Sequence, residues 1–243
     1  RAARPLQLSG QVAYARRRQR RARTGVVWGA SCKSSGLRRA SSTMLRLSIH
    51  DAAALAAASG ESREHYRYNP VPNGLEETRA TIERALVQRA EGLRYPFVAS
   101  YHGRIVGTTS YSDYQPWQWP VATPLQRSDQ PDAVEIGYTW LAATAQRTSC
   151  NTEAKLLLLA HAFETWRVHS VCFRTDARNE RSRSAILRLG ATFEGIRRVH
   201  SPGADGTVRS SAFFSILASE WQFVQERLRV LLERRRTQSW SSR

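Results

Sequence analysis

The sequence predicts an α/β (α+β) chain, with a mixed, mostly antiparallel central sheet and helices on both faces. Three observations carry this. Strand-patterned and helix-patterned segments follow one another in the order β-α-α-β-β-β-α-β-α-β-β from Met44 onward, which needs sheet and helix layers around one core. Two tight turns, His102-Gly103 and Ser201-Pro202-Gly203, separate pairs of apolar runs and mark antiparallel hairpins. The run from Glu135 to Thr175 reads strand, polar loop, apolar helix, strand, which is the right-handed unit that joins two parallel strands.

Each element has a local reason. Met44 to Ile49 is a short strand, and Asp51 suits the N-cap of an alanine-rich helix from Ala52 to Ala58. Gly60 to Gly74 holds Pro70 and Pro72 and is a loop. Leu75 to Ala90 is an amphipathic helix, with Ile82, Leu86 and Ala90 along one face and Glu76, Glu77, Arg79 and Glu83 outside it. Tyr95 to Tyr101 and Arg104 to Tyr111 form the first hairpin. Residues 112–132 carry repeated prolines with Trp117 and Trp119 and no periodicity, so they read as a loop, a lid or a substrate wall. Ala133 to Leu141 is the fourth strand and 151–168 a helix, apolar nearly all round at 156–160 and therefore buried. Strand Ser170 to Thr175 precedes a helix from Glu180 to Leu189 that Gly190 stops. Phe193 to His200 and Val208 to Leu217 form the second hairpin, and an amphipathic helix from Glu220 to Glu233 ends in Arg234-Arg235-Arg236.

Composition divides the chain. Ten arginines and one lysine, with no Asp or Glu, give residues 1–43 +11 of the formal +17. That predicts a basic tail at 1–43, a folded domain at 44–233 and a short basic tail at 234–243. Three readings of the first tail stand side by side. It binds RNA or another polyanion through Arg16-Arg17-Arg18 and Arg20-Arg21, it is an Arg- and Ser-rich organellar address, or it is translated upstream sequence without a structural role. Met44, the one methionine, stands directly before the first strand. No apolar run approaches a membrane span, so no membrane partner is expected. Cys32, Cys150 and Cys172 are an odd number without metal-ligand spacing, which predicts neither a disulfide framework nor a metal site and suits a reducing, cytoplasmic setting.

The loop between strand 133–141 and its following helix is the most informative stretch. A helix start aims unpaired backbone N–H groups at whatever lies in the loop, and those groups favour phosphate. The pieces Glu135-Ile-Gly-Tyr-Thr-Trp-Leu141, Asn151-Thr-Glu-Ala-Lys155 with His161-Ala-Phe-Glu164, Arg174-Thr-Asp-Ala-Arg-Asn-Glu-Arg-Ser182 and Leu189-Gly-Ala-Thr-Phe-Glu-Gly195 resemble the GCN5-related N-acetyltransferase (GNAT) superfamily. The similarity spans roughly Leu47 to Trp221, and the branch it most resembles is that of the ribosomal-protein-alanine acetyltransferases. The resemblance implies an acyl-CoA N-acyltransferase-like fold. It also implies transfer of acetyl from acetyl-CoA, as co-substrate, to a primary amine, by direct attack in a ternary complex. The acceptor is then a protein N-terminus, a ribosomal protein among them, or a small amine.

By the same resemblance, Trp140, Leu141 and Ala142 pair with the pantetheine arm, and Gln146, Arg147, Thr148, Ser149, Cys150, Asn151 and Thr152 hold the pyrophosphate. Asn179 contacts cofactor or substrate, and Ser182 returns a proton to the thiolate. The family loop Q/R-x-x-G-x-G/A has lost both glycines here, to Ser149 and Asn151; Asn151 tolerates left-handed backbone and caps helices well. Glu135 is the candidate general base or, alternatively, a salt-bridged strand residue. Asn179 and Ser182 are alternatively plain helix-capping residues. Cys150 beside the loop is a minor nucleophile candidate. The competing function is RNA or ribosome binding through the basic tail, with the transferase fold as a passive acyl-CoA binder.

Overall fold

The computed structural model describes residues 37–38, 41–121, 123–125 and 130–241, with side chains described only between 41 and 234. Nearly all of the basic N-terminal tail, Cys32 included, lies outside the described residues. The strands are β1 Leu37–Arg38, β2 Ser42–Arg46, β3 Arg94–Tyr101, β4 Arg104–Gln115, β5 Ala133–Leu141, β6 Ser170–Asp176, β7 Thr192–Pro202 and β8 Val208–Leu217. They form one sheet in the order β1-β2-β3-β4-β5-β6-β8-β7. Only β5 and β6 run parallel; every other neighbour is antiparallel. The helices are α1 Ala52–Gly60, α2 Gly74–Ala90, α3 Cys150–Ala160, α4 Glu180–Arg188 and α5 Trp221–Ser241.

The two faces are told apart by their contacts. On one face α1 and α2 pack over β4 and β3, and Tyr66, in the loop between them, meets Trp140 edge to face at 6.1 Å. On the other face α3 packs against β2 and α5, and the buried Tyr111 hydroxyl donates to the Leu158 carbonyl. After Ala160 the helix widens into a π-turn, His161–Thr165, which seats His161 against Tyr111 and the fully buried Trp166.

Several boundaries differ from the sequence expectation, for local reasons. The sheet begins before Met44, since Ser42 and Thr43 already pair with Tyr101 and Ser100. Asp51 gives α1 no side-chain cap. Its carboxylate instead accepts the Ser48 N–H at 2.8 Å, closing a capping box around the short turn Ile49–Asp51. β4 runs on to Gln115, and the rest of the proline-rich loop is tied back to the sheet: buried Asp132 accepts the Trp117 N–H at 2.6 Å and the Trp119 indole N–H at 2.9 Å. Trp117 then stacks on His169 with 5.3 Å between centroids and an interplanar angle of 14°. Trp117 remains exposed and Trp119 half-buried. The last helix continues through residues 234–241, where a tail was expected. The hairpin turn is as read, with His102 and Gly103 at φ 49° and 80°, the doubly left-handed geometry that suits the twist of the strands.

Candidate active site

β5 and β6 pair only at Ala133↔Ser170, Val134↔Val171 and Glu135↔Cys172. Beyond that rung the rest of β5 pairs with β4 alone, and the rest of β6 with β8 alone. The two parallel strands part into a wedge that opens toward their carboxyl ends, where open sheets bind ligands. The cause is in β5 itself. Its register against β4 slips between Thr108 and Ser110, and Tyr138 takes φ 51°, left-handed for a bulky residue. An inserted residue bends β5 away from its neighbour. Gly137, read from the sequence as a bulge mark, stands directly before it.

The bulge is held from behind by a side chain that the sequence reading passed over. Lys155 of α3 is buried, and its Nζ donates to Thr109 Oγ1 at 3.0 Å and Thr139 Oγ1 at 2.7 Å. Burial pushes its pKa down to about 7. A lysine directly before the apolar run 156–160, about one turn before Leu158 and Leu159, was the available signal.

Glu135 sits at the apex, 5% exposed. Burial pushes its carboxyl up to about 7, against the pull of Arg174, whose Nε lies 3.0 Å from Oε2. The salt-bridged reading of Glu135 is thus what the structure shows, and burial raises its carboxyl to about 7. Such a group can accept a proton from an ammonium near physiological pH.

Six residues further along β5, about 20 Å at ~3.3 Å per residue, the strand reaches the loop. Its end is fixed by hydrogen bonds. Leu141 O accepts from Tyr66 at 2.8 Å and from Gln146 Nε2 at 2.7 Å, and the Ala142 N–H donates to Val106 O at 2.7 Å. Trp140 is buried beneath this edge. The left-handed turn falls at Arg147, φ 60°, and not at Asn151, which lies inside α3. Ser149 is right-handed at φ −73°, so the missing glycines leave no backbone strain at either position. The Ser149 hydroxyl is turned onto Glu153 Oε1 at 2.9 Å and Tyr101 at 3.1 Å. Thr148 Oγ1 donates to Ala145 O and accepts the Cys150 N–H, which folds the turn onto itself. Among the described residues, the N–H groups of Ser149, Asn151 and Thr152 have no acceptor.

Cys150 is not the nucleophile the sequence allowed. It is fully buried, and burial pushes its thiol up to about 12. Iodoacetamide at pH 8 is expected to leave Cys150 unmodified in the folded chain and to label it in denaturant; labelling of the folded chain by mass spectrometry would contradict this burial. Among the described residues no group of three His, Cys, Asp or Glu side chains is placed to hold a metal.

Across the wedge, Asn179 precedes α4 after β6. Its Oδ1 accepts the Ser182 N–H at 3.0 Å, the capping role that the sequence held open. The two sides of the wedge meet where Arg181 donates to Gln146 Oε1 at 2.6 Å. The Arg181–Gln146 bond thus joins the segment 146–152 to the segment 179–182 at the wedge mouth, while Glu135 lies at the apex with Arg174 beside it.

The acetyltransferase (GNAT) domain family matches residues 43–192. The chain belongs to the GNAT family. It is accordingly an acetyl-CoA-dependent N-acetyltransferase, with a fold shared by many solved GNAT structures. A GCN5-related N-acetyltransferase from Brucella melitensis superposes with TM-score 0.69 at 21% identity, covering 82% of this chain and 86% of that one. Mycobacterium smegmatis RimJ, solved with a CoA disulfide, gives 0.63 at 19% identity over 78% and 88%. RimL, a ribosomal L7/L12 alpha-N-protein acetyltransferase solved with coenzyme A, gives 0.59 at 14% identity over 74% and 95%. At these identities the likeness is one of fold. No curated protein sequence matches the chain. No helix among the described residues is long and apolar enough to cross a membrane.

Proposed function

We propose that this GNAT enzyme acetylates a primary amine by direct attack in a ternary complex, with Glu135 as general base. The observation that carries the reading is a buried carboxyl with pKa about 7 at the rung where β5 and β6 part. The amine nitrogen attacks the thioester carbonyl, a C–N bond forms, and its proton passes to Glu135. Collapse of the tetrahedral intermediate breaks the C–S bond, and the thiolate takes a proton through the Ser182 hydroxyl, whose own proton is replaced from solvent. Gln146 to Thr152, with the unpaired amides of Ser149, Asn151 and Thr152, hold the pyrophosphate. Trp140, Leu141 and Ala142 form the wall beside the pantetheine arm, and Asn179 flanks it from the other strand. A cytoplasmic setting accompanies this chemistry.

A protein N-terminus is the favoured acceptor, and the likeness to RimL makes a ribosomal protein its first candidate. Calorimetric titration of the chain with acetyl-CoA tests the foundation. One saturable site per chain is expected, lost on replacing Asn151 and Thr152 by proline, which removes both N–H donors. Absence of binding to the intact chain would remove the proposal.

A further inference from the structure

One face of the sheet carries charge that acetyl transfer leaves unused. Register sets Arg174 and Asp176 of β6 beside Phe213 and Ser211 of β8, and Ser211 beside Arg197 of β7. Glu135 pairs with Cys172 on the same face, so these side chains surround the acceptor side of the wedge. The cations there are not equivalent. Arg174 is held by Glu135 at 3.0 Å, and Arg178 by Asp176 at 2.8 Å and Asp205 at 3.0 Å. Arg209 is half-buried and, among the described residues, has no carboxylate within ion-pair distance. Its Nε donates to Ser211 Oγ at 2.9 Å, and His200 Nδ1 meets the same oxygen at 2.9 Å. Burial, Arg197, Arg174 and Arg209 together lower the pKa of His200, which favours the neutral imidazole over one that adds further positive charge. Asp176 and Glu135 oppose this crowding from beyond ion-pair distance, while burial and Arg174 still hold the Arg209 pKa below its ordinary value, so a further anion beside it would be favourable.

The opposite end of the face is acidic. Asp113 lies near enough to Glu135, and Glu194 to Cys172, for each to raise its neighbour's pKa. The Glu135 row and the Ser211 row are the rows of Cys172 and Asp176, four residues apart on β6, or about 13 Å at ~3.3 Å per residue. That is the spacing of the backbone rows; between side chains the gap is shorter, since the Arg209 guanidinium reaches back far enough to act on the Glu135 carboxyl. Such a gap suits a peptide whose negative charge comes soon after its first residue.

We propose that this face receives an acidic protein N-terminus: the α-amine at Glu135, and a side-chain carboxylate of the second or third residue on Arg209, with Arg197 at the rim. This rests on the reading of Glu135 as the base. The test uses the full chain with acetyl-CoA and two C-terminally amidated peptides, Ser-Asp-Glu-Phe and Ser-Asn-Gln-Phe. The acidic peptide is expected to have a kcat/KM about tenfold higher or more, chiefly through KM. Arg209→Gln should bring the ratio of the two peptides close to one, Arg209→Lys should retain part of it, and Arg197→Gln should lower it less. Acetyl-CoA affinity, measured on each variant, is expected to match the parent chain. Equal efficiency on the two peptides overturns the acidic subsite and leaves acetyl transfer standing. So does a loss in Arg209→Gln that falls on acetyl-CoA affinity, which would give the arginine to the cofactor, or turnover confined to small amines such as O-phosphoethanolamine. If no amine is acetylated while acetyl-CoA binds, the base assignment itself fails.

Discussion

Glu135→Gln is expected to lower kcat on a saturating amine by roughly 10²–10⁴-fold while changing acetyl-CoA affinity by less than about twofold. The two side chains have nearly the same shape, and the glutamine carbonyl can still accept from Arg174, so the wedge should keep its form. What is lost is the ability to take a proton. The pH profile gives a second, independent readout. Glu135 titrates near 7, so kcat/KM of the parent enzyme should climb as pH rises through about 7, and the variant should lack that limb. Stability moves in the opposite sense. The folded state holds the Glu135 proton up to about 7, and the unfolded chain releases it near the ordinary carboxyl value of 4.5. This contribution is therefore complete below 4.5 and disappears as pH rises through 7. The variant should lose less stability than the parent across that window. Unchanged turnover in Glu135→Gln would remove the residue as base and leave it a salt-bridged strut.

How far this could be read from sequence depends on how local each cause is. Ala133–Leu141 and Val208–Leu217 fall at the expected positions because β-rich runs there are bounded by turn residues on both sides. The loop after β5 was legible as a helix start, since a polar run followed by four leucines permits little else. Its inner geometry was not. Nothing in the sequence marks Arg147, and not Asn151, as the left-handed residue; that choice is made by Gln146, whose side chain is drawn onto Leu141 O and held by Arg181 from another helix. Cys150 failed as a nucleophile for the same kind of reason. A thiol at a helix start looks activated from sequence, and only tertiary packing reveals that it points inward. Arg209 and His200 converge on Ser211 across a hairpin whose register includes a slip between Arg197 and Ser201, which no period-two count anticipates. Arg174, by contrast, was within reach, because alternation along β6 puts it on the face of Cys172 and Asp176.

Gly107→Ala is expected to destabilise the fold by about 3 kcal/mol or more, a fall in Tm on the order of 10 °C. A Cβ at this position would stand 2.0 Å from the Trp140 carbonyl oxygen and 3.0 Å from Leu141 Cα. Both are backbone atoms of the neighbouring strand, so no side chain can rotate to relieve the clash. φ at Gly107 is 155°, outside the range that L-residues adopt with ease. β4 and β5 must then separate at the Trp140–Leu141 end, where β5 forms one wall of the wedge and where Tyr66 and Gln146 converge on Leu141 O. The acetyl-CoA affinity of whatever fraction folds should fall with the stability, which links a packing fault to the site through a single strand. Gly60→Ala is the matched control: nothing lies within 4 Å of its Cβ, and alanine suits the end of α1 better than glycine, so a change of no more than about 1 kcal/mol, toward stability, is expected. Thermal unfolding and acetyl-CoA titration on the two variants separate the cases. A Gly107→Ala chain with unaltered Tm and affinity would mean that the β4–β5 contact yields freely and that the wedge is set elsewhere, by the Tyr138 bulge and its Lys155 support.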